Sequence, residues 1–195
     1  MTFSANGEHL LSGGLDQNIQ VWQVQDGQRV ATIGAKDLLC LAVSKNGKWI
    51  AGGTFLGDVF VWHAETYETK GHMDSYVYAI DFSRDSTTLV LGSTDSTATV
   101  WDVASGNKIR TLQHTQSVIA AKFSPNRIAT ATKDSVHIWD NHGPGQSLVD
   151  VPVTVTPRYN NGLLWFKNHI FVVSQYNQAT GRIHRFNRLC MASSQ

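Results

Sequence analysis

The stretch GSTDSTATVWDV, Gly92–Val103, places Ser93, Asp95 and Trp101 within ten residues, and Gly71-His72 lies about twenty residues upstream. Serine, histidine and aspartate are the raw material of a hydrolase triad, in which a base activates the hydroxyl and a carboxylate orients the base. The same side chains can equally tie strands together, because each is a hydrogen-bonding group that burial forces to find a partner. A second set follows at similar spacing: His114, Thr132, Asp134 and Trp139, with Asp134 five residues before its tryptophan where Asp95 stands six before Trp101. Whether these sets are reactive depends on the elements that carry them.

Those elements repeat. Trp22, Trp62, Trp101 and Trp139 recur at intervals of 40, 39 and 38 residues, each in an alternating run: NIQVWQV, DVFVWHA, TATVWDV and SVHIWDN. Alternation of this kind marks a half-buried strand. Upstream of each tryptophan lies a second β-rich run ending in small residues: HLLSGG, WIAGGT, LVLGST and RIATAT. Earlier still comes a turn motif, TFSANG, AVSKNG, DFSRDS and KFSPN, with the Asn-Gly chemistry of hairpins. A fifth copy, GLLWFKNHIFVVSQYNQATGRIHRFN, aligns if Trp165 replaces Phe123 and Phe186 replaces Trp139, with extra residues in the turn at Tyr176–Gly181. Four short strands about every 40 residues cannot bury both faces of one sheet; stacking such sheets around an axis does.

The repeat, with Gly-His ahead of an Asp turn and a Trp-Asp dipeptide at Trp101-Asp102 and Trp139-Asp140, resembles the WD-repeat family over nearly the whole chain, and YNNGLLWF is similar to fungal members. The resemblance implies an all-β propeller of about five four-stranded blades, at 1–34, 35–72, 73–114, 115–152 and 153–195. The first copy begins at the tail of its first strand and the fifth has only LCMASSQ for a fourth, so the expectation is an open ring, a truncated product or a fragment of a longer propeller. The family also implies a hydrogen-bonded tetrad in a blade, carried here by His72, Ser93, Asp95 and Trp101, and by His114, Thr132, Asp134 and Trp139. Indole N–H donates to the hydroxyl, the hydroxyl to imidazole, and imidazole to the carboxylate that holds the turn. Recurrence on successive blades is the behaviour of a scaffold, so no catalytic residues and no enzymatic activity are expected.

Family propellers serve as platforms for other proteins or peptides through loops on one face, in keeping with the general use of loops on rigid scaffolds. The loops expected on that face are GAKDL, GHMDSYVY and QHTQSV. The anchors expected there are Tyr76 and Tyr78, with Asp74, Thr94, Gln116, Lys36 and Lys133 around them, because aromatic side chains dominate such interfaces. One extra residue between His72 and Phe82 suggests a bulge that re-aims a tyrosine.

Composition narrows the alternatives. The 195 residues have a net charge of +1 and 16% charged residues, which gives no global pull towards nucleic acid or anionic lipid. Residues 1–150 hold 11 Lys/Arg against 15 Asp/Glu, whereas Arg158, Lys167, Arg182, Arg185 and Arg188 follow with no acid. The basic last copy supports a secondary reading, an RNA- or ribonucleoprotein-associated propeller. A propeller enzyme would need carboxylates repeated around the central channel, and no such cluster is present in the sequence. The eight dispersed histidines and the two cysteines, Cys40 and Cys190, show no metal-ligand spacing, so no metal and no cofactor is expected. NHGPGQS, Asn141–Ser147, reads as a loop rather than a phosphate cradle. No apolar run reaches membrane-spanning length and MTFSANGEHL is too polar for a signal peptide, so a cytoplasmic, or nuclear, scaffold of a larger regulatory protein is the expectation.

Overall fold

The computed structural model describes residues 1–152, 163–166, 169–177 and 182–190 apart from Leu15, Ser75 and Pro144, with side chains up to Pro152 except those of residues 72–74. All regular structure among them is β. Sheet 1 contains β1 (Thr2–Phe3), β2 (His9–Gly13), β3 (Asn18–Gln23) and β4 (Arg29–Gly34). Sheet 2 contains β5 (Leu38–Val43), β6 (Trp49–Thr54), β7 (Asp58–His63) and β8 (Thr69–Asp74). Sheet 3 contains β9 (Val77–Phe82), β10 (Thr88–Ser93), β11 (Thr97–Asp102) and β12 (Lys108–Gln113). Sheet 4 contains β13 (Ala120–Phe123), β14 (Arg127–Ala131), β15 (Ser135–Asp140) and β16 (Ser147–Pro152). A three-stranded sheet follows, β17 (Leu163–Phe166), β18 (His169–Asn177) and β19 (Arg182–Cys190), with Trp165 in its first strand and Phe186 in its third.

Every sheet is an antiparallel meander in chain order. The first strands β1, β5, β9, β13 and β17 contact one another in succession, as blades do around an axis. Among the described residues no strand pairing joins the last sheet to the first.

The turn between the first and second strand of blades 1, 2 and 3 is built by one local device. Ser44 Oγ donates to Asn46 Oδ1 at 2.7 Å and accepts from Trp49 N at 2.9 Å, while Gly47 turns the chain at φ +73°. Ser4-Asn6-Gly7 and Ser83-Asp85-Ser86 repeat it, Ser86 taking φ 64° where glycine stands elsewhere. A positive φ is nearly free for glycine, which explains the Asn-Gly pairs in the motif.

Strand alternation then sorts the core into layers between sheets. Leu89 and Leu91 on β10 pack with Ala51, Val59 and Val61 of sheet 2. Val90 between them packs with Ala121, Ile128 and Trp139 of sheet 4. Leu11, Val21, Ile50 and Trp62 fill the layer between sheets 1 and 2. Each of Trp62, Trp101 and Trp139 thus lies on the face turned to the preceding sheet. The small residues at the second-strand ends have a steric cause: a Cβ on Gly52 would stand 2.6 Å from Leu38 Cδ1 and 3.1 Å from the Trp62 ring.

Polar ties reinforce the layers. Asp81 on β9 accepts from Lys122 Nζ at 3.2 Å and from Phe123 N at 2.9 Å, joining two innermost strands. On the rim, the Arg110 guanidinium donates to the carbonyls of Asp140, at 2.9 Å, and Gly143.

Candidate functional site

The hydrogen-bonded chain exists in blade 4, with different members from those the sequence spacing suggests. Trp139 Nε1 donates to Thr130 Oγ1 at 2.7 Å, Thr130 Oγ1 lies 2.7 Å from His114 Nε2, and His114 Nδ1 lies 3.0 Å from the Leu112 carbonyl. A carbonyl only accepts, so Nδ1 carries the proton, and the neutral imidazole accepts at Nε2 from the Thr130 hydroxyl. The hydroxyl is therefore Thr130, not Thr132. Asp134 is not the partner of His114; it takes Thr132 Oγ1 at 3.2 Å, Ser135 Oγ at 3.3 Å and Gln116 Nε2 at 2.8 Å. The reason is distance along the strand. Thr130 pairs with His137, on the same face as Trp139, while Thr132 stands two residues further on, in the turn. Two residues of strand are about 6.6 Å, beyond the reach of the indole.

Blade 1 obeys the same geometry: Trp22 Nε1 donates to Ser12 Oγ at 2.9 Å, so its hydroxyl is Ser12 rather than the position of Gly14. Blade 3 departs from it. Leu91 occupies the position of Thr130, and Trp101 Nε1 instead donates to Thr99 Oγ1 at 2.8 Å on its own strand. Ser93, expected to receive that bond, accepts from Asp95 N at 3.2 Å, and Asp95 Oδ1 caps Thr97 through N at 2.9 Å and Oγ1 at 2.6 Å. His72 lies outside the described side chains.

A serine–histidine–aspartate array does occur, in residues that sequence spacing does not single out. Ser135 Oγ lies 2.8 Å from His137 Nε2, and His137 Nδ1 lies 2.6 Å from Asp150 Oδ1. All three lie on the paired strands β15 and β16, and His137 faces Asp150 directly across the ladder. Ser135 Oγ also sits 2.9 Å from Thr132 Oγ1, so the array ends in the β14–β15 turn and welds it to the outer strand. The His137 ring stands edge-on to His114 at 4.9 Å.

Burial, together with the neighbouring His137, pushes the His114 pKa down to about 4. The folded protein keeps this ring neutral while an unfolded histidine protonates near pH 6.5, so the associated stability is complete above that value and is lost as pH falls towards 4. We expect a loss of about 2 kcal/mol between pH 7 and pH 4 from this group. Urea unfolding at both pH values, compared with His114→Gln, checks it: the variant should lose that much less on acidification.

The second candidate is the face formed by the β6–β7 and β10–β11 turns with the β8–β9 connection. Tyr76 is 61% exposed and its ring rests over Gly57, where an added Cβ would approach Cε1 to 3.2 Å. Tyr78 is half-buried in β9, at a register shift opposite Gly92 and Ser93. The same shift recurs at Leu39 in sheet 2, so the bulge is a property of the first strand and not special to the tyrosine. Thr94, Lys36 and Lys133 are exposed; the Thr94 carbonyl accepts from Ser117 Oγ at 2.9 Å. Gln116 is half-buried and committed to Asp134. Asp74 ends β8, outside the described side chains, and the arginines of β19 lie outside them too.

Two residues of this face lie outside the loops that the sequence analysis singles out. Phe55 and Leu56, in the β6–β7 turn, are 60% and 64% exposed. The available signal is the turn FLG itself, apolar where the matching turns of other copies carry an aspartate, Asp16 or Asp95. Leu56, Gly57 and Tyr76 line a groove of about 600 Å³ together with Asp58, Asp95, Trp101 and Lys108.

The family model described as "WD domain, G-beta repeat" matches residues 1–23, 27–63 and 64–102. The chain is 36% identical over 114 residues to cilia- and flagella-associated protein 52 of Chlamydomonas reinhardtii, covering 51% of this chain and 18% of that protein. It is 27% identical over 182 residues to protein tipD of Dictyostelium discoideum, covering 84% and 29%. The chain thus spans less than a third of the length of either relative. The crystal structure of RRP9 WD40 repeats superposes with a TM-score of 0.76 at 22% identity, over 88% of this chain and 55% of that one, a likeness of fold. Repeat-model matches over half the sequence, each ending with the tryptophan-bearing third strand of a sheet at Gln23, His63 or Asp102, show that this chain belongs to the WD-domain, G-beta repeat family.

Proposed function

We propose that the chain is a non-enzymatic docking scaffold for protein or peptide partners, used within a larger regulatory assembly, and that the face around Tyr76 is its contact surface. Proteins of this family generally mediate protein interactions, which supports the class of function. The observation that carries the choice of face is the cluster of exposed apolar side chains, Phe55, Leu56 and Tyr76, on short turns held by packed sheets. Isolated exposed apolar residues are ordinary, but three in adjoining turns bordering a groove are the anatomy of an interface core.

Proximity labelling in cells, with the chain in its full-length protein, tests this reading. Tyr76→Ser combined with Leu56→Ser should deplete most labelled partners while leaving the thermal midpoint within a few degrees of the parent, because neither side chain is buried. A partner set unchanged by the double substitution would overturn it.

A further inference from the structure

The Ser135–His137–Asp150 array has the connectivity of a nucleophile, its base and the group that orients the base, and the docking reading makes no use of it. We propose that Ser135 is a covalent modification site, a hydroxyl that takes an acyl group from an activated ester or thioester. The proposal stands independently of the Tyr76 face.

The array follows from strand geometry. Ser135 opens β15 and His137 follows two residues later, so both side chains leave the same face of the strand. Asp150 stands opposite His137 on β16. A carboxylate only accepts, so in the neutral ring Nδ1–H donates to Asp150 Oδ1 at 2.6 Å, and Nε2 keeps its lone pair for the Ser135 hydroxyl at 2.8 Å. Thr132 Oγ1, at 2.9 Å, helps to fix the position of Ser135 Oγ. A general base needs these two contacts, one to the proton it removes and one that sets its tautomer. Ser135 and His137 are half-buried, whereas Lys133, Asp134 and Asp150 are exposed, so the array borders solvent at the β14–β15 turn. The His114 ring, 4.9 Å from that of His137, has its pKa pushed down to about 4 and sets no charge against the base at pH 7.

The step is an acyl transfer. Ser135 Oγ bonds to the carbonyl carbon of the donor and its proton passes to His137 Nε2. The bond from that carbon to the leaving oxygen or sulfur then breaks, and the proton goes on to the leaving group. Asp134 limits the reaction. Its Oδ1 lies 3.3 Å from Ser135 Oγ and opposes the negative charge that develops on the attacked carbonyl. Donors with a weakly basic leaving group, aryl esters or thioesters, are therefore the ones that react. The serine ester so formed must expel a strongly basic alkoxide to hydrolyse, against the same carboxylate, so the acyl group stays on the chain. Ser135 is in this way an acceptor on a scaffold and does not turn over.

Labelling the full chain with an alkyl fluorophosphonate tests this, with the adduct located by peptide mass spectrometry and near-UV circular dichroism as a folding control on every variant. In that reaction the serine oxygen displaces fluoride from phosphorus and the proton leaves through His137, so the probe reports the same nucleophile. We expect the adduct on Ser135 in the folded chain and its loss in urea. Labelling should slow at least about tenfold in His137→Gln, and by a similar factor after prior incubation with p-nitrophenyl acetate. Asp150 is a positioning residue: Asp150→Asn should slow labelling about tenfold, and Asp150→Glu should recover most of the rate. An unlabelled Ser135, or a label on it that is indifferent to urea, to His137→Gln or to Asp150→Asn, would overturn the activated hydroxyl. Labelling of Ser135 that prior p-nitrophenyl acetate does not slow would overturn the acyl transfer.

Discussion

Trp139→Ala is expected to lower the unfolding free energy by about 3–5 kcal/mol, read from the urea midpoint at constant m-value. The indole is 3% exposed and packed against Val90, Val100, Leu112 and Ile128 in the layer between sheets 3 and 4. Truncation removes this packing, leaves a cavity between two sheets that both stay anchored elsewhere, and takes the donor from Thr130. Trp101→Ala, at the equivalent place one blade earlier, should cost less, about 1–3 kcal/mol, because that ring is half-buried and its N–H serves only Thr99 two residues away. Equal losses would mean that the tryptophans act through their own sheets rather than through the layers between them.

The second large effect concerns one hydroxyl. Thr130→Val keeps shape and volume but strands two buried partners at once, the indole N–H of Trp139 and Nε2 of His114. Each orphaned group costs about 1–3 kcal/mol, so a loss of about 2–4 kcal/mol is expected. Thr132→Val should cost about 1 kcal/mol, since Thr132 bonds only within its own turn, to Asp134 and Ser135. The ordering of the two variants is the sharp result: a costlier Thr132→Val would restore the chain implied by family resemblance. His114→Gln in the same experiment would report whether the imidazole is needed to absorb the Thr130 proton or whether an amide oxygen suffices.

Both expectations bear on how this propeller is held together. Tryptophan and a hydroxyl two residues short of the turn lock a blade internally in sheets 1 and 4, through Ser12 and Thr130. Sheet 3 lacks that hydroxyl at Leu91 and compensates with apolar packing on both faces, Leu89 and Leu91 towards one neighbour and Val90 towards the other. Cohesion between blades then adds the Asp81–Lys122 pair near the axis and Arg110 on the rim. A quasi-linear array of this kind distributes stability over repeats and their interfaces. Such an array can lose one local lock without losing the fold.

The repeat, the strand alternation and the turn chemistry were legible in the residues, because each is a short-range property. A period of two sorts Leu89 from Val90, and Ser-x-Asn-Gly builds its turn from its own atoms. The tetrad was misplaced for the same reason. Residues two apart in a strand share a face, so alternation alone does not distinguish Thr130 from Thr132 or Ser12 from position 14; only the pairing of β14 with β15 sets which hydroxyl lies within reach of the indole. The Ser135–His137–Asp150 array and the Arg110 clamp join residues 13 to 33 positions apart, separations that no local pattern constrains. The docking face divides in the same way. Tyr76 could be anticipated from its type and loop, whereas Phe55 and Leu56 became part of a surface only when the stacking of sheets 2 and 3 brought the β6–β7 turn beneath the tyrosine ring. Local chemistry thus determined what each blade is; the packing of one blade on the next decided which atoms meet.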